Sequence, residues 1–261
     1  MIELHNIVHR FPGSEWKLDI PDFSIQASEI LGIIGPNGSG KSTLLRITAG
    51  IIKPLEGTVR LSGKKINKLK RKEIAKKIGY LPQETGSEYD YTVEELARMG
   101  RYSYTGTFGG LGPLDLKIVR ESLKSTDMEN MSERRLSRLS GGEKKRAFLA
   151  SVLAQSPDIL LLDEPTSSLD IHRQVQFFRL LRRLANQGMG VAVVTHDVNF
   201  ASLFCQKLVF LVNGGLLSMG KPEKVISEKT IKYVYGEDVF LGRHPETDNP
   251  YLLPRLFKKT K

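Results

Sequence analysis

The chain has 261 residues, of which 40% are hydrophobic and 26% are charged, and its formal net charge is +10. A chain of this length can bury a core in one large domain or in two small ones. Its single cysteine, Cys205, excludes a fold that depends on internal disulfides. Cys205 lies in an apolar stretch and is expected to be a buried, inert thiol. No apolar run approaches the roughly 20 residues that span a bilayer, and the first residues lack the apolar core of a signal peptide.

The positive charge is concentrated in two segments, Lys64–Lys77 and Arg255–Lys261. A basic surface of this kind suits nucleic acid, an anionic membrane face or plain solvent, and charge alone leaves these possibilities open. Neither a base-reading motif nor interleaved aromatic residues accompany the charge. No nucleic-acid partner is therefore expected.

The first third of the chain is predicted to form strands and one helix. Short β-like segments occupy the chain up to about Ala27. They are followed by a buried strand at Glu29–Gly35, a helix from Lys41, and strands at Gly57–Gly63 and Lys77–Gln83.

The rest of the chain is predicted to be a helical stretch followed by alternating strands and helices. The stretch from Tyr91 to about Gln155 is mostly helical, with a glycine-rich interruption at Gly106–Pro113. Buried strands and helices then alternate, at Ile159–Glu164, Ile171–Gly188, Gly190–Asp197, Val198–Phe204 and Lys207–Gly215. This alternation predicts a parallel α/β sheet. The predicted division is a core at 1–83 and 156–236, an inserted helical subdomain at 84–155 and a C-terminal tail at 237–261.

The segment GPNGSGKST (Gly35–Thr43) fits the pattern of a phosphate-binding loop and stands after a predicted strand and before a predicted helix. Backbone N–H groups of such a loop point at phosphate, while Lys41 supplies charge and Ser42 offers its hydroxyl to Mg²⁺. The candidate nucleotide-binding residues of this loop are Gly35, Pro36, Asn37, Gly38, Ser39, Gly40, Lys41, Ser42 and Thr43.

Two adjacent glycines, Gly141 and Gly142, lie at the start of another predicted helix, in LSGGE (Leu139–Glu143). Ser140 and Glu143 have the spacing of a capping box, which stabilises a helix without any further function. A capping box does not require glycine at its inner positions, and glycine costs a helix about 1 kcal/mol relative to alanine. Gly141 and Gly142 therefore indicate that something approaches the helix start, where anions are attracted.

Two carboxylates, Asp163 and Glu164, end a predicted buried strand. Ligands bind at the carboxyl ends of parallel strands, so Asp163 suits Mg²⁺ and Glu164 suits polarisation of an attacking water. Neighbouring residues of an extended strand point to opposite faces, so the two carboxylates need not share one task. His196 follows another predicted strand and is expected beside the phosphates, and Gln83 can reach Mg²⁺ or the water.

These motifs, in this order, resemble those of the nucleotide-binding subunit of an ATP-binding cassette (ABC) transporter over nearly the whole chain. The resemblance implies a single α/β domain with a P-loop NTPase (RecA-like) core, an N-terminal antiparallel β subdomain and an inserted α-helical subdomain. Gly35–Thr43 is similar to the Walker A loop, Ile159–Glu164 to Walker B, and Leu139–Glu143 to the family signature. Gln83 resembles the Q-loop residue, Ser167–Asp170 the D-loop, and His196 the switch histidine.

The resemblance also implies ATP and Mg²⁺ as ligands and a homodimer of cassettes joined head to tail. In such a dimer Ser140, Gly141 and Gly142 face the γ-phosphate bound by the partner, and Asp170 communicates across the interface. The implied catalytic residues are Glu164 as general base, His196, Lys41 and Gln83, and the implied Mg²⁺ environment is Ser42, Gln83 and Asp163. Phe11 stands near the position of the family's adenine-stacking aromatic residue, and Trp16 competes for that role.

A transporter subunit without a membrane span needs separate permease subunits, a place on the cytoplasmic face of the membrane and, for import, an extracellular substrate-binding protein. Thr92–Tyr102 and Val234–Pro254 resemble importers of iron–siderophore, haem and cobalamin. Import of a bare metal ion such as zinc or manganese, or a soluble ABC ATPase acting on ribosomes or nucleic acid, remain alternatives. A cassette that binds ATP without hydrolysing it is not expected, because Lys41, Glu164, His196 and the signature are all present.

Overall fold

A computed structural model of the chain describes residues 1–84, 89–105, 110–167 and 169–255. Within this part of the chain the strands are β1 (Ile2–Arg10), β2 (Lys17–Ile20), β3 (Phe23–Ile25), β4 (Ile30–Ile34), β5 (Glu56–Leu61), β6 (Lys64–Lys65), β7 (Ile78–Leu81), β8 (Ile159–Asp163), β9 (Gly190–Val194), β10 (Lys207–Val212), β11 (Gly215–Gly220), β12 (Val239–Arg243) and β13 (Pro250–Pro254). The α-helices are α1 (Lys41–Thr48), α2 (Arg71–Ala75), α3 (Val93–Met99), α4 (Pro113–Ser125), α5 (Gly141–Ala154), α6 (Ile171–Asn186), α7 (Val198–Phe204), α8 (Pro222–Val225) and α9 (Glu228–Tyr235).

One half of the large sheet is parallel, in the order β10-β4-β9-β8-β7, with β7 at the edge. The strands β4, β8 and β9 are buried along their whole length. Strands covered on both faces are continuous apolar runs, which is why their sequences ILGII, ILLLD and GVAVV do not alternate. The predicted parallel α/β sheet is confirmed, and the carboxyl ends of its strands meet at one edge.

The N-terminal part of the same sheet is antiparallel. Strand β1 pairs with β2, β3 and β5, and β5 continues to β6. Buried and less buried residues alternate along β1, as in a strand with one face on the core. Strand β11 pairs with both β10 and β2 and so joins the antiparallel part to the parallel part.

Helix α5 is shared between two apolar clusters, because its sequence is apolar on two sides. One side packs against α6, α7 and the sheet, through Leu149, Val152 and Leu153. The other packs against α3 and α4, through Ala147, Ala150 and Ala154. The separate cluster around α3 and α4 supports a helical subdomain at 84–155, which stays a prediction together with the other boundaries.

The described part of the predicted C-terminal tail (237–261), which reaches Arg255, contains two strands. Strands β12 and β13 form an antiparallel two-stranded sheet. It is fastened to α7, since the Asn199 side chain donates to the Leu252 carbonyl (3.1 Å) and accepts from the Leu252 N–H (2.7 Å). Asn249 Nδ2 donates to the carbonyl of Ser202 (2.6 Å). The hairpin is therefore docked on α7, and the predicted start of the C-terminal segment at 237 stays a prediction.

Three sequence features lie partly or wholly outside the described residues: the glycine-rich stretch at 106–109, Ser168 of the D-loop segment, and the basic segment 256–261. The described helices include none that is both long and apolar enough to span a bilayer. Cys205 is buried and its burial raises the pKa of the thiol well above its ordinary value, which confirms the expected inert thiol.

Candidate functional site

A cavity of about 850 Å³ lies at the edge of the sheet where β4, β7, β8 and β9 end. Open parallel sheets bind ligands at this edge. Ten residues predicted from the sequence line the cavity: Phe11, Asn37, Gly38, Gly40, Lys41, Ser42, Thr43, Gln83, Glu164 and His196. Ser14 and Trp16 complete the lining. The structure thus brings together motifs that are more than 100 residues apart in the chain.

At two positions of the loop between β4 and α1, both the backbone φ and the lack of space for a Cβ require glycine. Gly35 has φ 148°, and a Cβ there would lie 2.1 Å from the carbonyl oxygen of Leu211. Gly40 has φ 96°, and a Cβ there would lie 2.8 Å from the ring of Trp16. The loop is therefore packed closely on β10 and on Trp16, with no room for a side chain at these two positions.

Lys41, the first residue of α1, is buried and closes the loop on itself. Its Nζ donates to the carbonyl oxygens of Gly35 and Pro36, both at 2.9 Å. Burial lowers the pKa of Lys41, while the negative charges of Glu164 and Asp163 oppose that shift. The ammonium group is thus held at the loop, where phosphate oxygens can replace its carbonyl partners.

A cluster of oxygen atoms surrounds Asp163 at the end of β8. Ser42 Oγ donates to Asp163 Oδ1 at 2.9 Å, and the Tyr80 hydroxyl lies 3.5 Å from Oδ2. Asp163 is fully buried, and burial raises the pKa of its carboxyl although the Ser42 hydrogen bond lowers it. A buried carboxylate beside a hydroxyl is a donor set of hard oxygen atoms, which fits Mg²⁺.

Glu164 lies next to this cluster and makes different contacts. Gln83 Nε2 donates to Glu164 Oε2 at 2.9 Å, and His196 Nε2 contacts Glu164 Oε1. The expected extended conformation of Glu164 was wrong, because β8 ends at Asp163 and Glu164 has a left-handed φ of 48°. The turn of the backbone, rather than strand alternation, gives the two carboxylates separate surroundings.

Two aromatic residues stand at one side of the cavity. The rings of Phe11 and Trp16 are stacked, with centroids 6.2 Å apart and planes at 22°. Phe11 is 42% exposed, whereas the six-membered ring of Trp16 packs against Gly40. Phe11 therefore has the freer face for stacking on a base, and Trp16 supports the loop.

The signature residues do not lie in this cavity. Ser140, Gly141, Gly142 and Asp170 line a different cavity of about 450 Å³. The predicted capping box is confirmed, since Ser140 Oγ accepts from the N–H of Glu143 (3.3 Å) and the Glu143 carboxylate accepts from the N–H of Ser140 (2.8 Å).

The chain itself supplies a reason for one of the two glycines. A Cβ on Gly142 would lie 2.7 Å from Leu169 Cδ2, so Leu169 needs that space. Asp170 caps the next helix, because its Oδ1 accepts from the N–H of Arg173 at 2.9 Å. Both signature and D-loop residues thus have structural roles within one chain, in addition to any contact with a partner.

Lys145 contacts the site although no sequence motif indicates it. This lysine is only 8% exposed and its Nζ donates to the carbonyl of Glu164 (3.1 Å) and to Ser167 Oγ (2.9 Å). The sequence does contain one indication of its burial. Lys145 lies four positions before Leu149 and seven before Val152, so it falls on the same face of the helix as these buried apolar residues. A lysine in a buried stripe needs partners, and here they belong to the site.

The sequence is similar to known proteins over its whole length. The sequence profile of the family described as ABC transporter matches residues 18–167, more than half of the chain. The petrobactin import ATP-binding protein FpuC of Bacillus anthracis is 40% identical over 99% of this chain and 94% of its own length. The hemin import ATP-binding protein HmuV of Streptomyces coelicolor is 37% identical over 93% of this chain and 86% of its own length.

Solved structures agree with the sequence comparison. A metal-chelate type ABC transporter in an inward-facing conformation superposes with a TM-score of 0.84 at 25% identity, over 98% of both chains. A dimeric ATP-binding cassette in a post-hydrolysis state, bound to ADP and Pi, superposes with a TM-score of 0.75 at 31% identity, over 85% of this chain and 98% of that one. The predicted P-loop NTPase fold is therefore confirmed.

Proposed function

The chain belongs to the ABC transporter family, and we propose that it is the ATP-hydrolysing subunit of an importer that takes up a metal chelate through a separate permease. The class of cargo follows from the relatives, whose names specify import of petrobactin and hemin, and from the metal-chelate type of the similar structure. Bare-ion import and action on ribosomes or nucleic acid are not favoured by these relatives. The observation that carries the enzymatic part is the position of Glu164, held between Gln83 and His196 beside the phosphate loop.

ATP binds in the 850 Å³ cavity, with its phosphates on the loop Gly35–Thr43 and its base near Phe11. The N–H groups at the start of α1 and the ammonium group of Lys41 carry the charge complementary to the phosphates. The carbonyl oxygens of Gly35 and Pro36 hold Lys41 in place until phosphate oxygens take their position.

Glu164 acts as the general base. It takes a proton from the water that attacks the γ-phosphorus, while the bond from that phosphorus to the bridging oxygen of ADP breaks. Gln83 and His196 both touch the Glu164 carboxylate, so they keep it aimed at the cavity, and His196 lines the same cavity as the phosphate loop, where it would contact the γ-phosphate.

Mg²⁺ suits the oxygen atoms around Asp163. Ser42 and Asp163 would hold it together with the amide oxygen of Gln83, and among the described residues no group of three or more His, Cys, Asp and Glu offers another site. The ion supplies neutralisation of charge on the phosphates. Burial raises the pKa of Asp163, so its ionised form is unfavourable, and a cation beside the carboxylate would stabilise that form.

Hydrolysis requires two copies of the chain. The signature residues Ser140, Gly141 and Gly142 lie away from the chain's own phosphate loop, so they serve the nucleotide of a second cassette. The similar cassette with ADP and Pi is dimeric. ATP joins the two subunits, Asp170 contributes at their interface, and hydrolysis lets them separate.

The chain works at the cytoplasmic face of the membrane, attached to permease subunits. An extracellular substrate-binding protein delivers the chelate to that permease. Both partners follow from the import function rather than from any surface of this chain, and the choice of chelate belongs to them.

Glu164→Gln tests the enzymatic part, since the amide keeps the size of the side chain and cannot accept the proton. We expect ATP binding to remain, turnover to fall about 10²- to 10⁴-fold, and an ATP-bound dimer to accumulate on size-exclusion chromatography. Asp158→Asn, the same change just before the start of β8, is the control, because its ion pair with Lys77 is exposed. Near-normal turnover of Glu164→Gln would contradict the assignment of the base.

A further inference from the structure

Lys145 is a buried cation whose hydrogen-bond partners, among the residues that the structure describes, lie in the segment that follows β8. Its side chain lies on α5, four residues after Gly141, and only 8% of its surface is exposed. A buried ammonium group is unfavourable without partners, and burial lowers the pKa of Lys145 while the charge of Glu164 opposes this. The partners are the carbonyl oxygen of Glu164 and the hydroxyl of Ser167.

The backbone of Glu164 needs such support. Its φ of 48° is left-handed, a conformation that is unfavourable for a residue with a side chain. Its N–H donates to the carbonyl of Val194 in β9 at 3.1 Å, and its own carbonyl accepts from Lys145 Nζ (3.1 Å) and from the N–H of Ser167 (3.4 Å). The peptide groups on both sides of the Glu164 Cα are therefore held, one by the sheet and the other by the turn to Ser167 and by Lys145 on α5.

We propose that Lys145 is a positioning residue for ATP hydrolysis, which holds the Glu164 carbonyl so that the carboxylate points at Gln83 and His196. This inference rests on the proposed role of Glu164 as general base. Lys145 does not line the nucleotide cavity, so it acts on the reaction through the backbone of Glu164, while its second bond, to Ser167 Oγ, ties down the same segment.

The same bond links two sites within one chain. Helix α5 begins at the signature glycines and packs on both sides against apolar residues. Lys145 therefore joins the helix that carries the signature to the backbone of Glu164 in the same chain.

Lys145→Met tests the inference, because it removes both hydrogen bonds and leaves an apolar side chain of similar length. With the full chain and ATP plus Mg²⁺, we expect kcat to fall about 10- to 100-fold and KM for ATP to stay within about twofold, since only the base is misplaced. The variant loses both hydrogen bonds but also the cost of burying a charge, and the thermal midpoint checks that it remains folded under the assay conditions. Lys144→Met, which removes a charge one position earlier on the same helix, is the control and keeps the wild-type kcat.

A double-mutant cycle with Glu164→Gln separates positioning from general damage. If Lys145 acts through the Glu164 carboxylate, Lys145→Met lowers the residual single-turnover hydrolysis of the Glu164→Gln chain less than twofold. If it lowers the residual rate by the same factor as in the wild type, Lys145 does not act through Glu164 and the inference is overturned.

The outcomes also separate this inference from the proposed function. Loss of turnover in Glu164→Gln with a wild-type kcat in Lys145→Met overturns the role of Lys145 and leaves the base in place. Normal turnover in Glu164→Gln overturns both. A parallel loss of kcat and ATP affinity in Lys145→Met also counts against positioning, because it indicates a damaged nucleotide site.

Discussion

The stability lost in Gly40→Ala tests whether Trp16 packs directly against the phosphate loop. Gly40 has φ 96°, and an added Cβ would lie 2.7 Å from Leu18 Cδ1 and 2.8 Å from the Trp16 ring. The left-handed conformation costs about 1–2 kcal/mol for alanine. Overlap with packed side chains costs about 1–3 kcal/mol more, because Leu18 is fully buried and the indole ring is rigid.

Gly38→Ala is the matched control in the same loop. Gly38 also has a positive φ, 75°, but no atom of the described chain lies within 4 Å of its added Cβ. It therefore carries the backbone cost alone, and the difference between the two variants isolates the steric term of about 1–3 kcal/mol.

Thermal unfolding without nucleotide provides the assay. At about 2–4 °C per kcal/mol for chains of this size, Gly40→Ala should unfold about 2–12 °C below Gly38→Ala. Trp16→Leu in the Gly40→Ala chain should recover part of that difference, because it removes the overlapping ring. Equal midpoints for the two alanine variants would refute the close packing of Trp16 on the loop.

Three further predictions concern the surroundings of the site. Burial raises the pKa of Asp163 above its ordinary value of 3.8, so its ionisation opposes folding. Asp163→Asn should therefore raise the free energy of unfolding at pH 7 without divalent cations, and urea titrations should show that gain vanishing as the pH falls below about 4; an equal gain at all pH values would contradict this. Ser42→Ala should raise the Mg²⁺ concentration for half-maximal ATPase activity about tenfold or more while ATP binding without Mg²⁺ is unchanged, and an unaltered Mg²⁺ titration would count against the site. Asn199→Ala removes two hydrogen bonds to Leu252 and should lower stability by about 1–3 kcal/mol, so limited proteolysis should release β12 and β13 first; an unchanged digestion pattern would show that the hairpin is held otherwise.

The sequence predicts the parallel part of the fold well, because burial on both faces leaves a strong pattern. The runs at β4, β8 and β9 are apolar throughout, and each is followed by the polar residues that line the cavity. Strands β12 and β13 leave no such pattern, since they are only partly buried and depend on Asn199 for their attachment. That attachment is a contact between distant parts of the chain, which local patterns do not contain.

For the site, too, local sequence patterns predict some features, whereas features that depend on contacts between distant parts of the chain are missed. Motif spacing indicates that Lys41, Ser42, Asp163, Glu164 and His196 serve one ligand, and the structure places them at one edge of the sheet. The left-handed backbone of Glu164 is not visible in the sequence, because it results from bonds to Val194 in β9 and to α5. Extended-strand alternation was therefore the wrong argument for separating the two carboxylates, although their surroundings do differ.

The most direct test of the account is to identify what the chain binds in its own cell. A tagged chain is purified from gently solubilised membranes, and the proteins that remain with it are identified by mass spectrometry. The account predicts a polytopic membrane protein in stable complex, whose vesicles take up a metal chelate when ATP is supplied and not when the chain carries Glu164→Gln. Recovery of ribosomes or nucleic acid with no membrane protein would contradict the importer function.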